Sequence, residues 1–363
     1  MPFLSAPRKA LLCLLPGLAA LLVGACSSRP LTPFSVDTPP LVLLPAERAG
    51  IGDQRGRFRE IVCAVLEQHT DDPYYRACEQ TLVRLGDEPP GTGQPVYLGP
   101  ARRNLIAAFV PGVGWDCIEQ WMEYEDEFAR NTLKFGWPSY IFDVDGRSGT
   151  DNNARQIRDA ILDHADQIRP GSLVLIGYSK GAPDALTAIV DYPEIRPFVA
   201  AVVSVAGAVG GSPLANKATE GQLELMKHIP DAECSEGDGH AVESLRPAVR
   251  QKWLAENPLP DTIPYYSLVT SPLPGQISSI LMGSYDKLAR IDPRNDGQVI
   301  FHDQVIPGST LLGYLNADHW AVAVPVSKSH PFIGRHFTDR NDFPRAILTE
   351  ALLRFIEEDL PTD

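Results

Sequence analysis

The chain has 363 residues, 44% of them hydrophobic and 21% charged, and its formal net charge at pH 7 is −14. This length and apolar content are enough to bury the core of one large domain with attached segments, so intrinsic disorder is not expected. The negative charge repels phosphate backbones and no Lys/Arg cluster offsets it, so nucleic acid is not expected as a partner.

The segment 1–25 has a short basic region followed by an apolar run, which is typical of a cleaved signal peptide. The run ends in Val-Gly-Ala before Cys26, and this resembles the lipobox of bacterial lipoproteins, where the cysteine is lipidated and becomes the mature N-terminus. The resemblance implies export and a lipid anchor in the membrane, and Ser27 implies the outer membrane. An ordinary secretory signal cut near Ala25 is the alternative, and it also exports the protein.

Two further segments precede the main domain. Residues 26–54 are proline-rich and without period, which predicts a flexible tether. Residues 55–94 carry two stretches with apolar residues at helical spacing, FREIVCAVLEQH and ACEQTLVRLG, which predict a helical N-terminal extension with two helices.

Export places four cysteines in an oxidising compartment, where disulfides persist. Four cysteines allow three pairings. We favour Cys63 with Cys78, because a turn-rich stretch between the two predicted helices brings them together, and this leaves Cys117 for Cys234. The spacing is not that of a zinc site, so structural disulfides rather than a metal are expected.

From residue 95 to 363, apolar runs alternate with helical patterns. Strands that are apolar throughout and separated by helices indicate a mostly parallel sheet with helices on both faces, so the fold class is α/β. The predicted strands are 104–110, 139–144, 172–176, 198–205, 265–269 and 310–315.

One interval, 210–259, interrupts this alternation with a long mixed segment that has helical pieces and no strong strand. It follows a predicted strand, so it begins at the edge of the sheet where functional loops are expected. We interpret it as a cap-like insertion over an active site.

The stretch GYSKG places Ser179 between Gly177 and Gly181, after the apolar run LVLI and before the helical pattern APDALTAIV. A serine hydroxyl is a weak nucleophile, and a sharp strand-to-helix turn exposes it to a base. Glycines on either side permit the tight turn. Ser179 is therefore the predicted nucleophile, and the alternative is a glycine-bounded turn with a solvated serine.

An upstream loop, Pro-Gly-Val-Gly, follows the first predicted strand of the domain. Its Val113 N–H and the Lys180 N–H after the serine are the predicted oxyanion-hole donors. The side chain of Lys180 is expected to be solvated rather than to act as a base, because the elbow turns it away from Ser179. The alternative for the loop is a tight turn without function.

The predicted base is His319, just after the last predicted strand, because the histidine of such a fold comes late in the chain. His330 and His336 are the alternatives. His69, His164 and His228 precede the late sheet loops or lie outside them, and His302 sits in an apparent strand.

The motifs GYSKG, PGVG, NDGQV and ADHWAV, in this order, resemble those of the α/β-hydrolase superfamily, in particular the bacterial lipases and esterases. The resemblance covers Pro95 to the C-terminus and implies Ser179 as nucleophile, His319 as base and Asp296 as acid. Many lipases have His-Gly in the oxyanion loop, where this chain has Pro111-Gly112.

Asp292 and Asp303 lie between the same two strands and are the alternatives for the acid. Asp292 precedes a proline and is expected to begin a turn, and Asp303 follows QVIFH, which has strand character. Asp296 is favoured because Gly297 permits a sharp turn at the rim of the sheet. The loop from Asp292 to Asp303 has the length of a calcium loop, but Arg294 at its third position cannot ligate calcium. We expect no metal and no cofactor.

The sequence thus predicts an exported serine hydrolase, lipid-anchored in the bacterial envelope, which cleaves carboxylic esters through an acyl-enzyme and takes an ester or lipid-like substrate. A thioesterase, amidase or acyltransferase with the same three residues is the alternative within enzymes. A non-catalytic envelope lipoprotein of the same fold is the alternative outside them.

Overall fold

A mostly parallel sheet lies at the centre of the protein. The computed structural model describes residues 50–117, 124–218, 235–273, 275–325, 336, 338–340 and 342–361, which belong to one compact unit, Pro45–Asp363. Within these residues the strands are β1 (Gly52–Asp53), β2 (Leu82–Val83), β3 (Ile106–Val110), β4 (Ser139–Ile141), β5 (Leu173–Tyr178), β6 (Val199–Val205), β7 (Tyr265–Thr270) and β8 (Thr310–Leu315).

The strands have the order β1-β8-β7-β6-β5-β3-β4, and β2 pairs antiparallel with β8 while the other pairs are parallel. The predicted α/β class with a mostly parallel sheet is confirmed. Each of the six predicted runs contains a strand, from β3 to β8. The helices are α1 (Arg55–Gln68), α2 (Cys78–Thr81), α3 (Tyr124–Lys134), α4 (Thr150–Asp163), α5 (Gly181–Asp191), α6 (Ala241–Ser244), α7 (Pro247–Glu256), α8 (Met282–Leu288) and α9 (Arg345–Asp359).

The central strand β5 shows why the sheet is covered on both faces. Side chains alternate along a strand, and Val174 and Ile176 enter one hydrophobic cluster, with residues of α1 and α9, while Leu173 and Leu175 enter another, with residues of α4 and α5. Burying such a side chain contributes about 1.5–3 kcal/mol. A strand that is apolar throughout is therefore stable only between two layers of helices.

The N-terminal extension contributes strands as well as a helix. α1 forms as expected and packs against α9, and Arg57 pairs with Glu358 of α9 at 2.7 Å. The second predicted helix was largely wrong, because α2 is a single turn and β2 follows it at once. β2 pairs with Tyr314 and Leu315 of β8, so backbone pairing with the outer edge of β8 overrides the helical pattern there.

The disulfides agree with the expected pairing where the structure describes them. Cys63 of α1 is bonded to Cys78 of α2, which closes a loop over the turn-rich stretch as predicted. Cys117 is also disulfide-bonded. Cys234 lies outside the described residues, so its pairing with Cys117 stays a prediction, and the signal peptide and the tether up to residue 49 lie outside them too.

Candidate active site

Ser179 lies on a sharp turn between β5 and α5, at the carboxyl edge of the sheet. Its φ is +54°, in the left-handed region that non-glycine residues rarely adopt. A Cβ at Gly181 would lie 2.0 Å from the Val110 carbonyl oxygen, and one at Gly177 would lie 2.4 Å from the Ala182 Cα. Both glycines are therefore required for the close approach of strand and helix that presents the Ser179 hydroxyl.

His319 follows β8 and faces Ser179. Its Nε2 lies 2.9 Å from the Ser179 Oγ, and its Nδ1 lies 2.8 Å from Asp296 Oδ2. Two further hydrogen bonds hold the backbone of His319 in place. Its N–H donates to the Asp296 carbonyl oxygen at 2.9 Å, and its carbonyl oxygen accepts the Tyr178 hydroxyl at 2.8 Å. The structure thus places the three predicted residues in one hydrogen-bonded line, although 117 residues or more separate Ser179 from the other two.

The Asp296 carboxylate is fully buried and accepts hydrogen bonds on both oxygens. Oδ1 accepts the N–H groups of Gln298 and Val299 at 2.9 and 2.8 Å. Oδ2 accepts the Thr270 hydroxyl at 2.5 Å and the Gln304 side-chain amide at 3.3 Å, in addition to His319. A carboxylate whose hydrogen bonds are satisfied on both oxygens is held in one orientation, here with Oδ2 toward His319. Thr270 and Gln304 were not predicted from the sequence, because no motif marks them.

The two alternative acids have other neighbours. Arg294 donates to both oxygens of Asp292, at 2.9 and 2.7 Å. Asp303 lies against Gly210 and follows His302, in a short 3₁₀ turn, Phe301–Gln304, so the strand expected at this point was wrong. The structural reason is that the backbone of this loop forms a single isolated β-bridge, between Asn295 and Ile300, rather than a ladder of paired residues. Burial raises the pKa of Asp303 to about 7.

The two predicted oxyanion donors border Ser179. A Cβ at Gly112 would lie 2.8 Å from the Ser179 Cβ, so the loop that carries Val113 approaches the serine closely. Within the described part of the chain, neither the Val113 N–H nor the Lys180 N–H donates to another protein group. Backbone N–H groups left unpaired beside a serine hydroxyl are able to bind a developing oxyanion.

The expectation of a solvated Lys180 side chain was wrong. The side chain is 1% exposed, and its Nζ donates to both oxygens of the fully buried Asp184, at 2.9 and 2.7 Å. The physical reason is helix geometry, since Lys180 already has helical φ and ψ directly before α5, and residues four apart on a helix face each other. The spacing of Lys180 and Asp184 carried this signal in the sequence.

A mostly apolar cavity of about 280 Å³ opens beside Ser179. Among the described residues that line it, none is an Asp, Glu, Lys or Arg. The insertion 210–259 supplies a large part of the wall, so it adjoins the site where a cap was expected. The insertion residues that line the cavity are Ser212, Leu214, Ala215, Ala218, Val242 and Leu245.

A serine on a strand-to-helix turn at the carboxyl edge of a parallel sheet, with a late histidine beside it, is the arrangement of the α/β hydrolases. No protein-family model matches the sequence, and no curated protein matches it. Among solved structures, the metagenomic carboxyl esterase MGS0156 is 40% identical, with a TM-score of 0.81 over 92% of this chain and 100% of that one. The chain belongs to this family of carboxyl esterases within the α/β hydrolases, and it is a carboxylic-ester hydrolase of the lipase/esterase type.

Two lipases share the fold at lower identity. The mature form of Bacillus licheniformis lipase BlEst2 is 19% identical, with a TM-score of 0.51 over 67% of this chain and 95% of that one. Staphylococcus hyicus lipase is 11% identical, with a TM-score of 0.50 over 73% of this chain and 99% of that one.

Proposed function

We propose that this esterase works through Ser179, His319 and Asp296 by an acyl-enzyme mechanism. The Ser179 Oγ attacks the ester carbonyl carbon while His319 Nε2 takes the hydroxyl proton, and Asp296 stabilises the resulting imidazolium through Nδ1–H. The carbonyl oxygen becomes an oxyanion that the N–H groups of Val113 and Lys180 bind.

The reaction is then completed in two stages, release of the alcohol and hydrolysis of the acyl-enzyme. His319 returns the proton to the leaving alkoxide, the C–O bond of the ester breaks, and the alcohol departs. A water molecule then attacks the acyl-enzyme carbon while His319 takes its proton. The bond from this carbon to the Ser179 Oγ breaks, His319 returns the proton to the Oγ, and the carboxylic acid departs.

The observation that carries this proposal is the pair of hydrogen bonds on the His319 imidazole, 2.9 Å to Ser179 and 2.8 Å to Asp296. A fluorophosphonate reacts only with an activated serine, so peptide mapping after labelling tests the assignment. We expect one modified peptide, containing Ser179. Labelling at another serine would contradict the proposal.

The apolar cavity supports an ester with an uncharged acyl chain as substrate, with the insertion as one wall of the acyl site. Ala218→Trp is expected to fill part of the cavity and to lower kcat/KM for p-nitrophenyl octanoate about tenfold or more, with less than about threefold change for the acetate. Asn216→Trp, on an exposed neighbour that does not line the cavity, is the matched control. Equal losses on both esters would indicate a structural role for the insertion.

Export and anchoring belong to the same proposal. The signal-like segment, the lipobox-like end at Cys26 and the following Ser27 support a lipoprotein of the outer membrane with the tether 26–54 between anchor and enzyme. Among the described residues, no helix combines the length and the apolar composition needed to cross a bilayer. The lipid on Cys26 is the proposed contact with the membrane.

Cys26→Ala is expected to abolish incorporation of radiolabelled palmitate in cells and to release the protein from the membrane fraction, because the anchor has lost its attachment point. Cys13→Ala, within the same leader segment, is the matched control and should leave both unchanged. A wild-type protein without label would favour plain secretion over a lipid anchor.

A further inference from the structure

A buried ion pair lies directly behind the proposed nucleophile. Lys180 follows Ser179, and its Nζ contacts both carboxylate oxygens of Asp184 in the first turn of α5. Asn153 of α4 donates to the same carboxylate at 2.8 Å. The two ionic side chains are 1% and 0% exposed, so the whole pair has been removed from water.

Stability alone is a poor explanation for such a pair. Removing two charges from water costs several kcal/mol, and replacing a buried pair by apolar side chains is often neutral or stabilising. Complete burial raises the pKa of the Asp184 carboxyl, and the contacts with Lys180 and Asn153 oppose this rise. Burial of the pair is thus unfavourable in free energy, so its role lies in the geometry that it maintains.

The backbone at Lys180 is the part that the pair holds. The peptide between Ser179 and Lys180 carries the N–H proposed as oxyanion donor, and it joins a residue at φ +54° to the helical φ and ψ of Lys180, −60° and −28°. Turning this peptide would require the Lys180 side chain to leave its buried carboxylate. The side chain therefore opposes rotation of the donor.

We infer that the Lys180–Asp184 pair is a positioning device that holds the Lys180 N–H toward the oxyanion during ester hydrolysis. The inference rests on the function proposed above. Lys180 contributes its backbone to the reaction, while its side chain and Asp184 are positioning residues. Loss of an oxyanion donor lowers kcat by about 100- to 1000-fold. A donor that is present but less firmly positioned should lower kcat by a smaller factor.

Arg250 of α7 offers a matched control. It is 2% exposed, and its charge also acts on Asp184, but it donates from Nε to the Val209 carbonyl oxygen and has no backbone link to Ser179. Arg250→Met therefore removes an equally buried cation whose charge also acts on Asp184, and it does not free the proposed oxyanion donor.

The test compares Lys180→Met, Asp184→Asn, the double variant K180M/D184N and Arg250→Met by melting temperature and by kcat and KM on p-nitrophenyl butyrate. The double variant leaves no unpaired charge from the pair, so its melting temperature should exceed that of Lys180→Met. Its kcat should stay about 10- to 100-fold below wild type with KM within about twofold, because the loss is in transition-state binding. Arg250→Met should keep kcat within about threefold.

Recovery of kcat together with stability in the double variant would overturn the inference, and so would an equal loss of kcat in Arg250→Met and Lys180→Met. Asp184→Asn keeps the side-chain volume and the Asn153 contact, so if the double variant does not fold, unchanged kcat in Asp184→Asn overturns it. Ser179→Ala separates the two proposals, since turnover retained in that variant would refute the proposed nucleophile itself.

Discussion

Ser179→Ala is expected to lower kcat about a millionfold and to abolish labelling by fluorophosphonate, because in the proposed mechanism the three residues act as a unit and the remaining two have no nucleophile to activate. The substitution removes one hydroxyl and leaves the turn intact, since alanine tolerates the backbone no worse than serine does. The residual rate should reflect substrate binding and the oxyanion donors alone. Burst kinetics with p-nitrophenyl butyrate and intact-mass analysis measure both effects.

Ser244→Ala is the control for this variant. Ser244 lies in the insertion, donates to the Ala241 carbonyl oxygen at 2.8 Å and does not line the cavity. It should label and turn over like the wild type. Ester turnover retained in purified Ser179→Ala, at a normal melting temperature, would refute the assignment of the nucleophile.

Asp296→Asn is expected to lower kcat on the order of ten-thousandfold while the protein remains folded. In the wild type the Asp296 carboxylate accepts a hydrogen bond from His319 Nδ1–H. In the variant the asparagine amide would instead donate to Nδ1. The imidazole proton would then sit on Nε2, facing the Ser179 hydroxyl, and the nitrogen that must take the serine proton would already be protonated. Steady-state kinetics beside the melting temperature measure this effect.

Asp292→Asn and Asp303→Asn are the matched controls, because both acids lie on the same loop and neither contacts His319. Both should keep kcat within about threefold of wild type. Asp303→Asn should also raise the melting temperature at pH 8. Its carboxyl has a folded pKa of about 7 against 3.8 in the unfolded chain, so its ionisation destabilises the fold increasingly as pH rises between these values. A collapse of kcat in either control, with Asp296→Asn active, would reassign the acid and leave Ser179 and His319 in place.

Local patterns were enough to place most of the sheet and the turn at Ser179. The run LVLI before GYSKG and the helical pattern after it predicted β5, the turn and α5, because strand, tight turn and helix each depend on residues adjacent in sequence. Gly177 and Gly181 were informative for the same reason. The central strands are buried on both faces, so they are apolar throughout. Their alternation with helical patterns along the chain therefore predicted the α/β class.

The extension shows where local pattern fails. ACEQTLVRLG has a helical period, yet the chain leaves the helix after one turn and pairs as β2 with β8. The edge of β8 lies more than 200 residues further along the chain, and its unpaired backbone groups are a stronger constraint than propensity. No window of the sequence contains both partners.

The sequence by itself determined the fold class, the strand-to-helix turn at Ser179 and the late position of His319, because these depend on periodicity and on the order of elements. Only the tertiary structure decided that Asp296 rather than Asp292 or Asp303 faces His319, that Thr270 and Gln304 bind its carboxylate, and that the insertion forms a cavity wall. The physical reason is that hydrogen bonds of about 3 Å join residues far apart in the chain. Their geometry follows from how the elements pack, which spacing along the sequence does not record.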